Sequence, residues 1–338
     1  MENEILSLNH ILSSTKKVVI TMHQNPDGDA LGSALALYLL LNRLGHETFV
    51  ISPTKYPSFL DWMPSSKDII IYSESINESI KITNEADLLF LLDFNQISRI
   101  GDYSRVVASS NIENVVMIDH HQSPDIDLAN IVFSDTLVSS TSELLFNIIV
   151  NLGYENLINK EIGECIYTGI MTDTGSFKFA TNADTHIVAS KLIDRKIDNS
   201  RIHNLIYNTF SEDRMRLLGY AISKKLHIFS IYRSSLISLS EQDLKDHNFK
   251  QGDTEGLVNY GLSLDNIVFS ALIIEQDGLI KISLRSIGDV KVNEIAKKYF
   301  NGGGHMNAAG GISHKSLNDT IKDFTSIFKD YKKNLLTK

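Results

Sequence analysis

Three runs of aliphatic and β-branched residues are each followed at once by acidic and histidine residues. The runs cover residues 18–21, 88–92 and 115–118. Uninterrupted apolar runs of this length are typical of strands buried on both faces of a parallel sheet. The segments that follow are His23 to Asp29, Asp93, and Asp119-His120-His121. Since ligands of such sheets bind at the carboxyl ends of the strands, these side chains are expected to converge in one crevice.

Acidic side chains gathered in one crevice repel one another unless a cation lies among them. Asp27 and Asp29 flank Gly28, which permits a tight turn, and Asp173 adds a carboxylate in a Thr-Asp-Thr-Gly segment. Alone, Pro-Asp-Gly-Asp is typical of a surface turn. Its recurrence with other acids at equivalent strand ends favours a divalent-metal site, with two metals. Mixed Asp and His ligands suit manganese or a similar first-row metal, and a single cysteine, Cys165, excludes a thiolate zinc site.

Strands and helices alternate through the first half of the chain, which predicts an α/β fold with a parallel sheet covered by helices on both faces. Helices are predicted over 29–44, 140–152 and 161–173, and further strands over 47–51 and 68–72. Residues 184–226 are helical and more polar. We therefore predict a catalytic domain at 1–190, a helical linker at 191–227 and a smaller α/β domain at 228–338.

The predicted C-terminal domain has strands over 228–239, 267–275 and 279–284, with a hairpin turn at Gln276-Asp277-Gly278. A short helix leads to a glycine run, residues 302–311, and a final helix covers 317–331. Consecutive glycines before a helix start let backbone N–H groups approach an anion closely. With His305 and Arg285 nearby, Gly302, Gly303 and Gly304 predict a phosphate or carboxylate clamp. A flexible loop between helices is the alternative for the glycines alone.

Bulk composition limits the partners of the chain. The formal net charge of −9 makes long nucleic acid a poor partner, because its affinity comes mostly from Lys and Arg on phosphates. A short anionic substrate held by metals and a few basic side chains stays open. No apolar run approaches the ~18 residues of a membrane span, the amino terminus lacks signal-peptide features, and one cysteine fits a reducing compartment. These features predict a cytoplasmic protein without a membrane partner.

The motifs together resemble those of the DHH phosphoesterase superfamily with a DHH-associated C-terminal domain. The resemblance is carried by His23 to Ser33, Asp93, Asp119-His120-His121, Asp173 and the run from Gly302 to Gly311, in the family's order. It covers nearly the whole chain. The nanoRNase type, bifunctional oligoribonucleases and pAp phosphatases, is the most similar branch.

This resemblance implies two metal sites that share Asp93. The metal ligands it implies are His23, Asp27 and Asp93 for the first site, and Asp29, Asp93, His120 and Asp173 for the second. Asp93 and His121 would act in catalysis, with His121 facing the phosphate and Asp119 orienting a ligand histidine. Arg285, Gly302, Gly303, Gly304 and His305 would grip the far end of the nucleotide. Arg99 is either a further phosphate contact or a solvated side chain at a helix start.

The implied activity is hydrolysis of short oligoribonucleotides, such as pApA or pGpG, to nucleoside monophosphates, and of pAp to AMP. Two divalent metals, Mn²⁺ with Mg²⁺ or Co²⁺ as alternatives, would support in-line attack by hydroxide at phosphorus. The alternatives are a cyclic di-AMP phosphodiesterase, an exopolyphosphatase or pyrophosphatase, and a non-catalytic nucleotide sensor. A homodimer is a further expectation, because the apolar helix over 140–152 could pack against a partner.

Overall fold

The computed structural model describes residues 2–331 and residue 335, and its chain divides into two units, residues 1–209 and 210–338. Each unit has its own six-stranded sheet within this described part. The predicted linker, 191–227, falls across the division between the units. Among the described helices, none has both the length and the apolar composition needed to cross a bilayer.

A parallel sheet forms the centre of the first unit, as predicted. Its strands are β1 (Lys17–Met22), β2 (Glu47–Ser52), β3 (Ile70–Ile71), β4 (Leu88–Leu92), β5 (Asn114–Asp119) and β6 (Ile131–Ser134). Their order is β3-β2-β1-β4-β5-β6, and every neighbouring pair is parallel. The strand predicted over 68–72 is shorter than expected, because Ser66–Asp68 forms a 3₁₀ turn. Strand β6 was not predicted.

Helices surround this sheet. They are α1 (Glu2–Leu12), α2 (Gly28–Arg43), α3 (Ile76–Asn84), α4 (Tyr103–Ser109), α5 (Thr141–Asn151), α6 (Lys160–Asp173), α7 (Ala183–Asp194) and α8 (Asn199–Tyr207). The predicted helix starts are confirmed at α2 and α5. Asp27 caps α2 by accepting from the N–H groups of Asp29 and Ala30, and Ser140 caps α5 by accepting from Glu143 N–H.

Helix α5 buries its apolar side chains inside the first unit. Leu144, Leu145, Phe146, Ile148 and Ile149 all belong to the main core, which also contains residues of α2 and α6. The apolar composition of this helix is thus explained without a second chain. Dimer formation stays a prediction.

The second unit is a mixed α/β domain. Its strands are β7 (Leu226–Phe229), β8 (Ser234–Leu239), β9 (Phe269–Gln276), β10 (Leu279–Ser286), β11 (Gly303–His305) and β12 (Ala308–Ser313). Its helices are α9 (Glu212–Tyr220), α10 (Glu241–Asp246), α11 (Asn259–Leu262), α12 (Val292–Tyr299) and α13 (Leu317–Asp330), with a π-helical turn at Ala221–Lys225. The sheet order is β11-β12-β10-β9-β8-β7, and its core packs apolar residues of β9 and β10 against α12 and α13.

Two predictions for this unit meet different outcomes. The hairpin turn is confirmed: Asp277 and Gly278 join β9 to β10 with φ of 55° and 74°, as a two-residue type I′ turn requires. The single strand expected over 228–239 is wrong. It is two strands, β7 and β8, separated by a 3₁₀ turn at Ser230–Tyr232 and by Arg233 in the left-handed region.

The sequence analysis expected the glycine run to lead into a helix, and this prediction is wrong. Gly302 is followed by β11, which pairs antiparallel with β12. A Cβ on Gly302 would lie 1.9 Å from the carbonyl oxygen of Gly310, and one on Gly311 would lie 2.5 Å from that of Phe300. Gly302 and Gly311 are therefore explained by close approach of neighbouring backbone segments.

Helices α2 and α6 pack closely at Gly32. A Cβ on Gly32 would lie 2.5 Å from the carbonyl oxygen of Cys165. We expect Gly32→Ala to destabilise the first unit by roughly 1–3 kcal/mol, because the helices must separate to admit the methyl group. Differential scanning calorimetry should show a fall of several degrees in the melting temperature of that unit.

Gly219→Ala is the matched control for Gly32→Ala. Gly219 lies in α9, and among the described residues no atom lies within 4 Å of a Cβ built there. Because Ala forms helices better than Gly by about 1 kcal/mol, this variant should melt at an unchanged or higher temperature. Equal losses in both variants would contradict the steric argument.

Candidate metal centre

Sheet topology brings the ends of β1 and β4 side by side where the strand order reverses. β1 pairs with β2 on one side and with β4 on the other, and Met22 lies opposite Leu92. His23 follows β1, Asp93 follows β4, and Asp119 ends β5, the next strand in the sheet. Such a reversal leaves a crevice at the carboxyl ends of the strands. The three segments meet there.

His23 faces two carboxylates. Its Nε2 lies 3.9 Å from Asp27 Oδ2 and 3.5 Å from Asp93 Oδ2. Its Nδ1 lies 2.9 Å from the carbonyl oxygen of Gln24 and donates to it, since a carbonyl can only accept. This bond directs Nε2 towards the carboxylates. Ligand atoms of His23, Asp27 and Asp93 lie within 4.8 Å of one another, a spacing that suits one metal ion.

A second group forms around His120. Its Nε2 lies 3.6 Å from Asp93 Oδ1, 4.0 Å from Asp29 Oδ2 and 3.5 Å from Asp173 Oδ2. Asp173 is the last residue of α6 and reaches the crevice from that helix. Ligand atoms of Asp29, Asp93 and His120 again lie within 4.8 Å of one another. The structure thus gathers a second set of potential ligands beside the first.

Asp93 belongs to both groups. Its Oδ2 faces His23, and its Oδ1 faces His120. Its backbone has φ of 61°, in the left-handed region, which Asp enters more readily than most side chains. The hydroxyl of Thr141 donates to Oδ1 at 2.9 Å. The two oxygens of Asp93 therefore face different ligand groups, which is the arrangement expected of a carboxylate that bridges two metals.

Asp29 is held by the amino terminus of α5. Its Oδ2 accepts from Thr141 N–H at 2.7 Å, and its Oδ1 accepts from Ser142 N–H at 2.9 Å. Unpaired N–H groups at a helix start carry partial positive charge and stabilise an anion. Each oxygen of a carboxylate can accept twice, so both keep capacity for a metal.

Asp119 contacts His121 rather than the proposed metal ligand His120. Its Oδ1 lies 2.7 Å from His121 Nδ1. Asp119 is fully buried, and its Oδ2 has no hydrogen-bond partner among the described residues. His121 Nδ1 also lies 3.7 Å from Asp93 Oδ1. The buried acid therefore sets the orientation of His121.

Burial and crowding change the acidity of these groups. Burial and the Asp93 carboxylate raise the pKa of Asp29 to about 7, and burial with three nearby carboxylates raises the pKa of Asp173. Burial opposes ionisation of Asp93 as well, but the hydrogen bond to His23 and the other histidines hold its pKa below its ordinary value. Burial opposes charge on His23, yet Asp93 and Asp27 raise its pKa to about 9. The donor set of carboxylate oxygens and imidazole nitrogens fits divalent cations of the first transition row.

Arg99 lies next to this centre. It is exposed on a 3₁₀ turn, Ile97–Ile100, and its carbonyl oxygen accepts from the N–H of Gln24, the neighbour of His23. Its positive charge opposes protonation of His23. This position suits a phosphate contact, and the role stays a prediction.

The second unit carries a group of basic side chains. Arg285 on β10 lies opposite Ala308 on β12, which lies opposite His305 on β11. Directly opposed residues of antiparallel strands point to the same face, so Arg285 and His305 flank the small side chain of Ala308. Their neighbours Leu284 and Ala309 point into the core. Together with Gly302, Gly303 and Gly304, these residues form what we call the clamp face.

Family comparisons match both halves of the chain. The model for the DHH family, N-terminal domain, matches residues 17–170. The model for the DHHA1 domain matches residues 230–334. The chain belongs to the DHH family. The DHH match contains five of the six proposed metal ligands and ends three residues before Asp173.

Three similar proteins extend this finding. The chain is 30% identical to the bifunctional oligoribonuclease and PAP phosphatase NrnA of Thermus thermophilus, over 87% of this chain and 83% of NrnA. It is 25% identical to the cyclic-di-AMP phosphodiesterase GdpP of Bacillus subtilis, over 96% of this chain and 49% of GdpP. The crystal structure of an exopolyphosphatase-related protein from Bacteroides fragilis is 41% identical, with a TM-score of 0.95 and coverage of 100% and 98% of the two chains.

Sequence reasoning missed part of the DHH-domain site. It identified residues 140–143 as a helix start but assigned no contact to the unpaired backbone N–H groups at that start. In the structure, Thr141 and Ser142 use those groups to hold Asp29. The signal was available, since an acid-rich crevice and an uncompensated helix terminus attract each other.

The pKa shifts of Asp29 and His23 predict that the metal-free protein loses stability as pH rises from about 4 to 9. The folded pKa of His23 is about 9 against an ordinary 6.5, and that of Asp29 is about 7 against 3.8. Each group binds its proton more tightly in the folded state than in the unfolded state. The resulting stabilisation of the fold is fully present below the ordinary pKa and is lost as pH rises through the folded pKa. Thermal melts in chelator across this range check the slope.

Saturating Mn²⁺ should abolish or reverse this slope, because the cation replaces the same protons and binds more tightly as they leave. His23→Gln in chelator should flatten the part of the curve above about pH 7. A melting temperature that rises with pH in metal-free protein would contradict the assignment.

Proposed function

We propose that the chain is a manganese-dependent phosphoesterase that hydrolyses short oligoribonucleotides to nucleoside monophosphates and pAp to AMP. One observation carries the proposal. Two groups of histidine and carboxylate ligands share Asp93, in a chain 30% identical to an oligoribonuclease and PAP phosphatase over most of its length. Mg²⁺ and Co²⁺ are the alternative metals.

The proposed ligands follow the geometry of the two groups. His23, Asp27 and Asp93 would hold the first metal, and Asp29, Asp93, His120 and Asp173 would hold the second. Bound divalent cations supply Lewis-acid stabilisation of charge on the phosphoryl oxygens and make hydroxide available near neutral pH. The protein contributes by fixing the ligands: the Gln24 carbonyl orients His23, and the start of α5 orients Asp29.

His121 is proposed to contact the scissile phosphate. Its Nδ1–H donates to the buried carboxylate of Asp119, which fixes the ring and leaves Nε2 on the side of the ring away from Asp119. When protonated, Nε2 donates a hydrogen bond to a non-bridging oxygen, where negative charge increases as hydroxide attacks. Asp119 is a positioning residue for this histidine.

Substrate binding is proposed to use the clamp face and Arg99. Arg285 and His305 supply hydrogen-bond donors to a phosphate, and Gly303 has room for close approach, since no described atom lies within 4 Å of a Cβ built there. The rest of the chain carries a net charge that disfavours long nucleic acid. A few local cations in an acidic protein favour a short anionic substrate.

Two other substrates each have one observation in their favour. Similarity to GdpP over 96% of this chain supports cyclic di-AMP. The 41% identity to an exopolyphosphatase-related protein supports polyphosphate. Identity to NrnA is higher than to GdpP and covers most of both NrnA and this chain, which favours linear oligoribonucleotides and pAp.

A turnover panel with purified protein and Mn²⁺ tests the proposal. The substrates are pAp, pApA, pGpG, cyclic di-AMP, polyphosphate and an RNA of about 24 nucleotides. Fast hydrolysis of pAp, pApA and pGpG with little of the long RNA is expected. Preferred hydrolysis of cyclic di-AMP or polyphosphate would replace the proposal with the corresponding alternative.

Asp93→Asn should lower kcat on pAp by at least about 100-fold, because both proposed metals lose a charged ligand while Asn still tolerates the left-handed backbone. Asp87→Asn is the matched control. Asp87 precedes the same strand at its opposite end and accepts from Lys17 N–H. It should keep near-normal turnover in saturating Mn²⁺, and equal losses would count against a metal role for Asp93.

Arg285→Gln should raise KM for pAp about tenfold or more with a smaller change in kcat, because a charge-assisted contact to phosphate is lost. Lys281→Gln removes the same charge from the same face of β10, four residues earlier, where Lys281 donates to Gln276. The control should leave KM nearly unchanged. If both variants raised KM equally, general electrostatic attraction would explain the effect.

A further inference from the structure

Thr141, the first residue of α5, contacts the carboxylates of both Asp29 and Asp93. Its backbone N–H donates to Asp29 Oδ2 at 2.7 Å, and its hydroxyl donates to Asp93 Oδ1 at 2.9 Å. The residue is fully buried. It therefore connects the segment after β1 to the segment after β4.

These two contacts fix how the carboxylates share the centre. Asp29 and Asp93 carry the same charge, so a donor to each reduces their repulsion. The hydroxyl bond holds Asp93 in the orientation that sends Oδ2 to His23 and Oδ1 to His120. Rotation of this carboxylate would disturb both ligand groups together.

Thr141 is itself held rigidly. Glu143, almost fully buried, accepts on Oε2 from Ser139 N–H at 3.1 Å, from the Ser139 hydroxyl, and from the hydroxyl of Thr185 on α7 at 2.8 Å. Ser140 caps the helix by accepting from Glu143 N–H at 3.0 Å. The turn before α5 is thus anchored on both sides. Supporting contacts of this kind preorganise a site.

We propose that Thr141 is a positioning residue that sets the orientation of Asp93 relative to Asp29 and so determines whether two metals bind together. This inference rests on the proposed function for the identity of the two aspartates as metal ligands. The residue acts through those carboxylates and needs no contact with substrate. Its hydroxyl carries the effect, since the N–H is present in every variant except proline.

The experiment compares Thr141→Val with Thr141→Ser in the full chain. Valine keeps the shape and the N–H but removes the hydroxyl, whereas serine keeps the hydroxyl. Thr83→Val is the matched control: Thr83 is equally buried, and its hydroxyl bonds to Ser79 and Tyr103 in the same unit. Calorimetric titration of chelator-treated protein with Mn²⁺ gives stoichiometry and affinity, and kcat and KM are measured on pAp.

We expect Thr141→Val to weaken binding of at least one Mn²⁺ about tenfold or more. Its kcat should fall by a similar factor with little change in KM, because substrate contacts are untouched. Thr141→Ser should restore both values, and Thr83→Val should match the wild type. If Thr141→Val folds poorly in metal-free form, the Thr141→Ala variant and the Mn²⁺-induced rise in melting temperature give the same comparison.

Two outcomes overturn the inference in different ways. If the wild type binds two Mn²⁺ and hydrolyses pAp while Thr141→Val equals it in affinity and kcat, the positioning role is wrong and the proposed function stands. If the wild type neither binds Mn²⁺ nor hydrolyses pAp, the proposed function fails and the inference with it.

Discussion

Repulsion among buried carboxylates at the ends of β1, β4 and β5 is the constraint on which the rest of the structure depends. Five aspartates reach one crevice, and Asp29 and Asp173 have raised pKa values because burial and like charges disfavour ionisation. The fold offsets this with oriented donors. Asp27 caps α2, Asp29 receives two N–H groups from α5, and histidines face Asp93. The remaining imbalance of charge is what a pair of divalent cations would neutralise.

Helix packing brings these groups within range of each other. α6 carries Asp173 and must approach both α2 and the start of α5. Gly169 permits this: a Cβ there would lie 1.9 Å from Ser142 Oγ and 2.7 Å from Asp29 Oδ1. Gly28 similarly leaves room for Thr172, one residue before Asp173. Gly28 and Gly169 therefore allow the helices to pack closely and also allow the candidate metal ligands to come together.

Sequence reasoning predicted local features well and tertiary contacts poorly. The parallel sheet follows from apolar runs, and the starts of α2 and α5 follow from capping residues, both of which are properties of short segments. The role of Thr141 depends on a helix start meeting a crevice built from other strands, which no short segment encodes. The prediction of a helix after the glycine run was wrong for a related reason. Glycines are compatible both with a loop before a helix and with closely paired strands, and only the pairing of β11 with β12 distinguishes the two.

The backbone of Asp93 limits what this position can become. With φ of 61°, the residue lies in the left-handed region, which Asn and Asp enter more readily than most other side chains. Glutamate, the other acidic residue, would add a methylene to a fully packed cluster and strain the backbone as well. Asparagine keeps the conformation but loses the charge. Neither replacement keeps both the backbone conformation and the charge, so either one would remove the carboxylate that faces both His23 and His120.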